Sequence, residues 1–92
     1  MDLTFVWDSE KASTNLRKHD VSFQEASTVF GDPLSITVAD PAHPTGELRF
    51  VIVGESHRGR LLVVVHAETE DTVRIISGRL ATKRERRDYE QG

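Results

Sequence analysis

The sequence predicts a small α+β domain, an antiparallel sheet with two N-terminal helices packed on it and a short C-terminal helix. Three observations carry this prediction. Helix-start signals occur only near the two ends, at Asp8, Ser22 and Thr82. Between them, the chain from residue 34 to 77 reads with strand-like alternation broken by short turn sequences. Its 92 residues, 37% apolar and 29% charged, suffice for one modest core, so residues 1–92 are expected to form a single domain.

The elements follow in order. Thr4 to Trp7 is rich in strand formers and stops at Asp8, which caps a helix running to about Lys18 with Ala12, Leu16 and His19 on one face. Asp20 suits a left-handed C-cap. Ser22 and Glu25 form an S-x-x-E capping box, Val21 and Ala26 a hydrophobic staple, and Phe23, Ala26 and Phe30 a buried stripe on the second helix. Gly31-Asp32-Pro33 ends that helix. Leu34 to Val38 reads as an edge strand, and Asp40 to Gly46, with two prolines, as a loop. Glu47 to Glu55, Arg60 to Glu68 and Thr72 to Ser77 are three strands joined so tightly that they must be antiparallel neighbours. Leu61 to Val65 and Val73 to Ile76 are apolar on both faces, which makes their strands central. The last helix, from Lys83, must then cross part of the second face or its edge.

Composition narrows the chemistry. Without cysteine there is no disulfide scaffold, thiol nucleophile or thiolate metal site, a pattern that fits a reducing cytoplasm. No apolar run approaches the ~20 residues of a membrane helix, and no signal peptide is visible. The four histidines lack H-x-H or H-x-x-x-H spacing, so neither metal nor cofactor is expected. The formal charge of −3 is unevenly spread, with 9 acidic and 4 basic residues in 1–57 against 6 acidic and 8 basic in 58–92.

Much of that basic charge lies in Arg74 to Glu90, RIISGRLATKRERRDYE. A T-x-x-E capping box, Thr82 to Glu85, starts a helix whose first turns hold Lys83, Arg84, Arg86 and Arg87, while Asp88 and Glu90 fall at its end. This order opposes the helix dipole at both ends, by about 0.3–1 kcal/mol per charge. Pairs Arg84/Asp88 and Arg86/Glu90 have the right spacing to offset it by at most ~0.2–0.5 kcal/mol each. Phosphate is the ligand such a positive helix start suits, so these four residues with Lys18 are the candidate contacts to a phosphate-bearing polymer.

The order of elements resembles the BrnT toxins of bacterial type II toxin-antitoxin modules, a branch of the RelE-like ribonuclease fold. The resemblance is carried by WDSEKASTNLRKHDVSF (Trp7 to Phe23), AST-VF-DP (Ala26 to Pro33), D-x-x-H (Asp40 to His43), GELRFVIVGES (Gly46 to Ser56), GRLLVVVHAE (Gly59 to Glu68) and the Arg74 to Glu90 segment. It implies a cytoplasmic toxin that cleaves RNA and halts translation. The implied partner is a BrnA-like antitoxin with a ribbon-helix-helix domain, in a heterotetramer that represses its own operon by holding operator DNA through the antitoxin. Asp20, Gly78 and His66 stand where such toxins usually have glycine, alanine and an aromatic residue. Gly78 is expected to loosen the backbone before Arg79.

Metal-independent RNA cleavage requires a base for the 2′-OH, an acid for the leaving 5′-oxygen, and cations for the phosphorane. Histidine suits the first two roles and arginine the third. Arg79, at the strand-to-helix junction, is the leading phosphate ligand. Arg74 has the other parity on the same strand, with Ile76, and either binds phosphate or forms a structural salt bridge. Arg49 shares parity with Val51 and Val53, and His66 with Leu62 and Val64. If those faces coincide, Arg49, His66 and Arg74 meet on one surface. His19, at the negative end of the first helix dipole, is either a cap or a catalytic group, and Tyr89 either a catalytic hydroxyl or a surface contact. His43 and His57 are expected in solvated loops. A second reading keeps the fold without catalysis, as a corepressor module for a DNA-binding partner.

Overall fold

A computed structural model describes residues 3–40 and 48–92. The predicted loop after Asp40, with His43, and the predicted start of the next strand at Glu47 lie outside them. The elements are β1 (Thr4–Val6), α1 (Ser9–His19), α2 (Phe23–Ser27), a 3₁₀ turn (Thr28–Gly31), β2 (Ile36–Ala39), β3 (Arg49–Glu55), β4 (Leu61–Thr69), β5 (Thr72–Leu80) and α3 (Lys83–Gln91). The sheet order is β1-β5-β4-β3-β2. Strands β2 to β5 form the expected antiparallel meander, and β1 joins the free edge of β5 in parallel, pairing Thr4 with Thr72 and Val6 with Arg74. β5 is three residues longer than the alternation predicted, because it continues through Arg79 and Leu80 opposite Val63 and Leu62.

α1 and α2 cover one face of the sheet. Val21, Phe23, Ala26 and Val29 pack on Ile52, Leu62, Val64, Val73 and Ile75, all essentially excluded from water. Asp8 caps α1 through Glu10 and Lys11 N–H groups, and Asp20 closes it in the left-handed conformation (φ 56°). The inward face of α1 differs from the predicted one. Leu16 is 49% exposed and His19 is exposed, whereas Asn15 is buried. Its carboxamide donates to the carbonyls of Val21 (2.9 Å) and Gly78 (2.8 Å) and accepts from Gly78 N–H (3.1 Å). β1 pairs with β5 only as far as Arg74, so Gly78 has no strand on that side, and Asn15 supplies the missing amide.

The second capping box is half formed. Ser22 Oγ accepts from Glu25 N–H, but the Glu25 carboxylate turns inward to Arg60 and Ser56. The predicted second helix also tightens into a 3₁₀ turn before Phe30. Gly78 is held, not loosened: both its backbone groups are bonded to Asn15, and an added Cβ would sit 3.3 Å from Ala26 and Val21.

Candidate functional site

The second face of the sheet carries the arginines. Register places Arg49 opposite Ala67 and Ala67 opposite Arg74, so these two share that face. Arg79 lies there too, opposite Val63. Straight alternation along β5 puts Arg74 and Arg79 on opposite faces, as expected from sequence. A β-bulge overturns this: His66 pairs with Ile75 and Val65 with Ser77, leaving Ile76 as the extra residue. From Val63 to Ala67 is four residues, so Arg79 stands roughly 13 Å along the strands from the Arg49/Arg74 row. Val38, Val51 and Val65 lie between, partly exposed. Neither Arg49 nor Arg74 is free of a partner.

His66 does not join them. Its even position on β4 points to the helix-covered face, where it is fully buried, stacked on Phe50 (5.7 Å) and edge-on to Phe30 (4.8 Å). The two parities of the prediction do not coincide, since β3 and β4 pair odd with odd. Nε2 of His66 lies 2.9 Å from Glu68 Oε1, and Nδ1 is buried without a hydrogen-bond partner among the described residues.

Lys18 and His19 line a cleft of about 350 Å³ between α1 and β5, with Lys11, Asn15, Ile76 and Ser77. Ser77 and Arg79 are two residues apart on one face, which puts Arg79 roughly 6.6 Å along the strand from the cleft wall. Among the described residues no three His, Asp or Glu side chains converge as metal ligands.

Arg79 is held from α3, the helix that follows its strand. Thr82 and Glu85 make the complete capping box, and the Glu85 carboxylate also accepts two parallel bonds from Arg79, Nη1 to Oε1 at 2.8 Å and Nη2 to Oε2 at 2.9 Å. The guanidinium and the Thr82 N–H lower the Glu85 carboxyl to about 2. Lys83, Arg84, Arg86 and Arg87 are exposed along α3, and no ion pair joins Arg84 to Asp88 or Arg86 to Glu90. Tyr89 is a contact within the chain: its hydroxyl donates to Asp32 Oδ2 at 2.6 Å, and that carboxylate raises its pKa to about 12. α3 thereby lies against Ile36 and Val53 at the β2–β3 end of the second face.

A second cluster is structural. Glu25 is buried against Arg60, which bonds both its oxygens, and accepts from Ser56 Oγ (2.7 Å) and Arg58 Nη1 (3.4 Å). Arg60 lowers the Glu25 carboxyl to about 2 against the opposing effect of burial. Arg60 also donates to the Asp20 carbonyl (2.8 Å), which ties the α1–α2 turn to β4.

The sequence profile described as "Ribonuclease toxin, BrnT, of type II toxin-antitoxin system" matches residues 7–85. The chain belongs to the BrnT family. It is therefore a ribonuclease toxin of a type II toxin-antitoxin system, with an antitoxin as partner. In fold it is similar to the crystal structure of the Brucella abortus ribonuclease toxin BrnT, with a TM-score of 0.64 at 20% identity, covering 88% of this chain and 99% of that one. No match is found among curated protein sequences. Sequence reasoning missed Asn15 and the Arg79–Glu85 pair. Asn15 carried no signal, while a cap glutamate six residues after an arginine at a strand end was the available sign of the pair.

Proposed function

We propose that this BrnT toxin cleaves single-stranded RNA without a metal, at the junction of the α1–β5 cleft and Arg79. The observation that supports the reading is that Lys18 and the exposed His19 line one cleft with Ser77, which stands two positions before Arg79 on the same face of β5. Arg79 holds the scissile phosphate, and His19 moves the proton. The 2′-oxygen attacks phosphorus, the P–O5′ bond breaks, and the products are a 2′,3′-cyclic phosphate and a 5′-hydroxyl. Arg49 and Arg74 hold the strand further along the face. Lys83, Arg84, Arg86 and Arg87 attract it by charge. His66 and Tyr89 remain with the scaffold, the one buried and the other bonded to Asp32.

In this reading the toxin acts in the cytoplasm. A BrnA-like ribbon-helix-helix antitoxin neutralises it by covering the arginine face, and their heterotetramer represses its own operator. The half-exposed valines between the arginine rows support such a cover, because desolvating them favours association. The test is cleavage of a defined RNA with EDTA present, with product-end analysis and His19→Ala and Arg79→Ala variants. Cyclic phosphate from the wild type and its loss in both variants is expected. Intact RNA from folded, antitoxin-free protein would turn the reading to ribosome-dependent cleavage or a silent corepressor.

A further inference from the structure

The donors of Arg79 are unequally used. Nη1 donates to Glu85 Oε1 (2.8 Å) and to the carbonyl of Leu80 (3.2 Å), and Nη2 donates to Glu85 Oε2 (2.9 Å). The end of the fork and its inner edge are therefore occupied. Nε–H and the second N–H of Nη2 have no partner among the described residues. Those two hydrogens are parallel and lie on one side of the guanidinium plane's edge, the geometry that two oxygens of one phosphate accept. The Arg79 side chain as a whole is 42% exposed, so it is not sealed from solvent.

We propose that Glu85 is a positioning residue for RNA cleavage, which locks the Arg79 guanidinium end-on so that its unoccupied side fork presents two N–H groups to one phosphate. The inference rests on the ribonuclease reading of Arg79 and adds what orients it. Glu85 is itself fixed, because its Oε1 also accepts Thr82 N–H (2.8 Å) and its own N–H donates to Thr82 Oγ1 (3.2 Å). α3 is in turn anchored by Tyr89 on Asp32. An arginine released from these bonds regains several rotatable torsions, and a misplacement of about 1 Å costs on the order of 100-fold in rate. The opposite role, a carboxylate that competes with phosphate for Arg79, would apply if it filled the side fork. It fills the end.

The experiment is a double-mutant cycle. Single-turnover cleavage is measured for wild type, Glu85→Ala, Arg79→Ala and the double variant, with binding of a 2′-O-methyl RNA of the same sequence followed by fluorescence anisotropy. Circular dichroism checks the fold, and Glu85→Gln serves as the conservative control. Glu85→Ala is expected to cleave about 10- to 100-fold more slowly while binding the blocked RNA within about 3-fold of wild type, and the double variant to cleave no more slowly than Arg79→Ala. Glu85→Gln, which keeps an acceptor for Thr82 and for one Arg79 N–H, is expected to recover part of the loss. Multiplying losses in the double variant would make Glu85 a structural cap only, and faster cleavage by Glu85→Ala would make it a competitor. Either result overturns the proposal.

If wild type leaves all RNA intact, it is the reading of Arg79 as part of a ribosome-independent cleavage site that fails, and the geometry is judged from the Arg79 Nε–H resonance. A signal that moves on adding 2′-O-methyl RNA and exchanges slowly only in its presence, in wild type and not in Glu85→Ala, supports the locked fork. An unmoved signal overturns it.

Discussion

Replacing Asn15 by alanine tests the least expected feature of the fold, a buried carboxamide in place of the leucine-faced helix. Three hydrogen bonds disappear, to Val21 O, Gly78 O and Gly78 N, from a side chain in a residue only 6% exposed. Each is worth ~0.5–1.5 kcal/mol net, and water admitted at the strand edge limits the further cost of stranding the backbone groups, so the expected loss is about 3 kcal/mol. For a domain of this size that is a fall in Tm of roughly 12–24 °C. Leu16→Ala, from a side chain half in water, should cost about 1 kcal/mol or less. Urea unfolding followed by circular dichroism measures both, with the m-value expected unchanged. The reasoning is refuted if Asn15→Ala lies within about 1 kcal/mol of wild type, or if Leu16→Ala is the more damaging change.

Glu25, whose carboxyl is lowered from 4.5 to about 2, contributes stability that is complete above the ordinary carboxylate range and is lost as pH falls toward 2. The contribution is on the order of 3 kcal/mol, and acid unfolding of Glu25→Gln, already weaker at pH 7, should be flatter across that window than wild type. Tyr89 is the single tyrosine, so a phenolate absorbance titration reads it alone. Its midpoint should stand near 12 and move down toward 10 in Asp32→Asn, and the stability it adds is present below 10 and lost as pH rises through about 12. Changing Lys83, Arg84, Arg86 and Arg87 together to glutamine should leave Tm unchanged or raise it, because these charges oppose the α3 dipole. The same variant should flatten the salt dependence of RNA binding by up to about 0.7 in log–log slope for each phosphate that is no longer neutralised, and an unchanged slope would remove α3 from the RNA path.

Local signals in the sequence proved informative where the responsible residues are close together in the chain. The Asp8 cap, the left-handed Asp20, the Thr82–Glu85 box and the short turns between β3, β4 and β5 each involve residues within a few positions of one another. Motifs spread over most of the chain likewise marked the family. The proposed site was legible as separate candidates, Lys18, His19 and Arg79, but not in how the fold arranges them. Arg74 and Arg79 share a face only because Ile76 is an extra residue in β5, and a bulge depends on how β4 meets β5.

Sequence by itself therefore determined the order of the helices and strands, the caps at Asp8, Asp20 and Thr82, and that an arginine stands at the junction of the last strand with a basic helix. Capping and alternation act over a few residues and depend little on the rest of the chain. Tertiary structure alone decided that His66 is buried while Arg49, Arg74 and Arg79 share the second face, that Asn15 completes β5, and that Glu85 holds the end of Arg79 and leaves its side fork open. Register and side-chain pairing are set by packing between segments distant in sequence, and one inserted residue reverses every face that follows it.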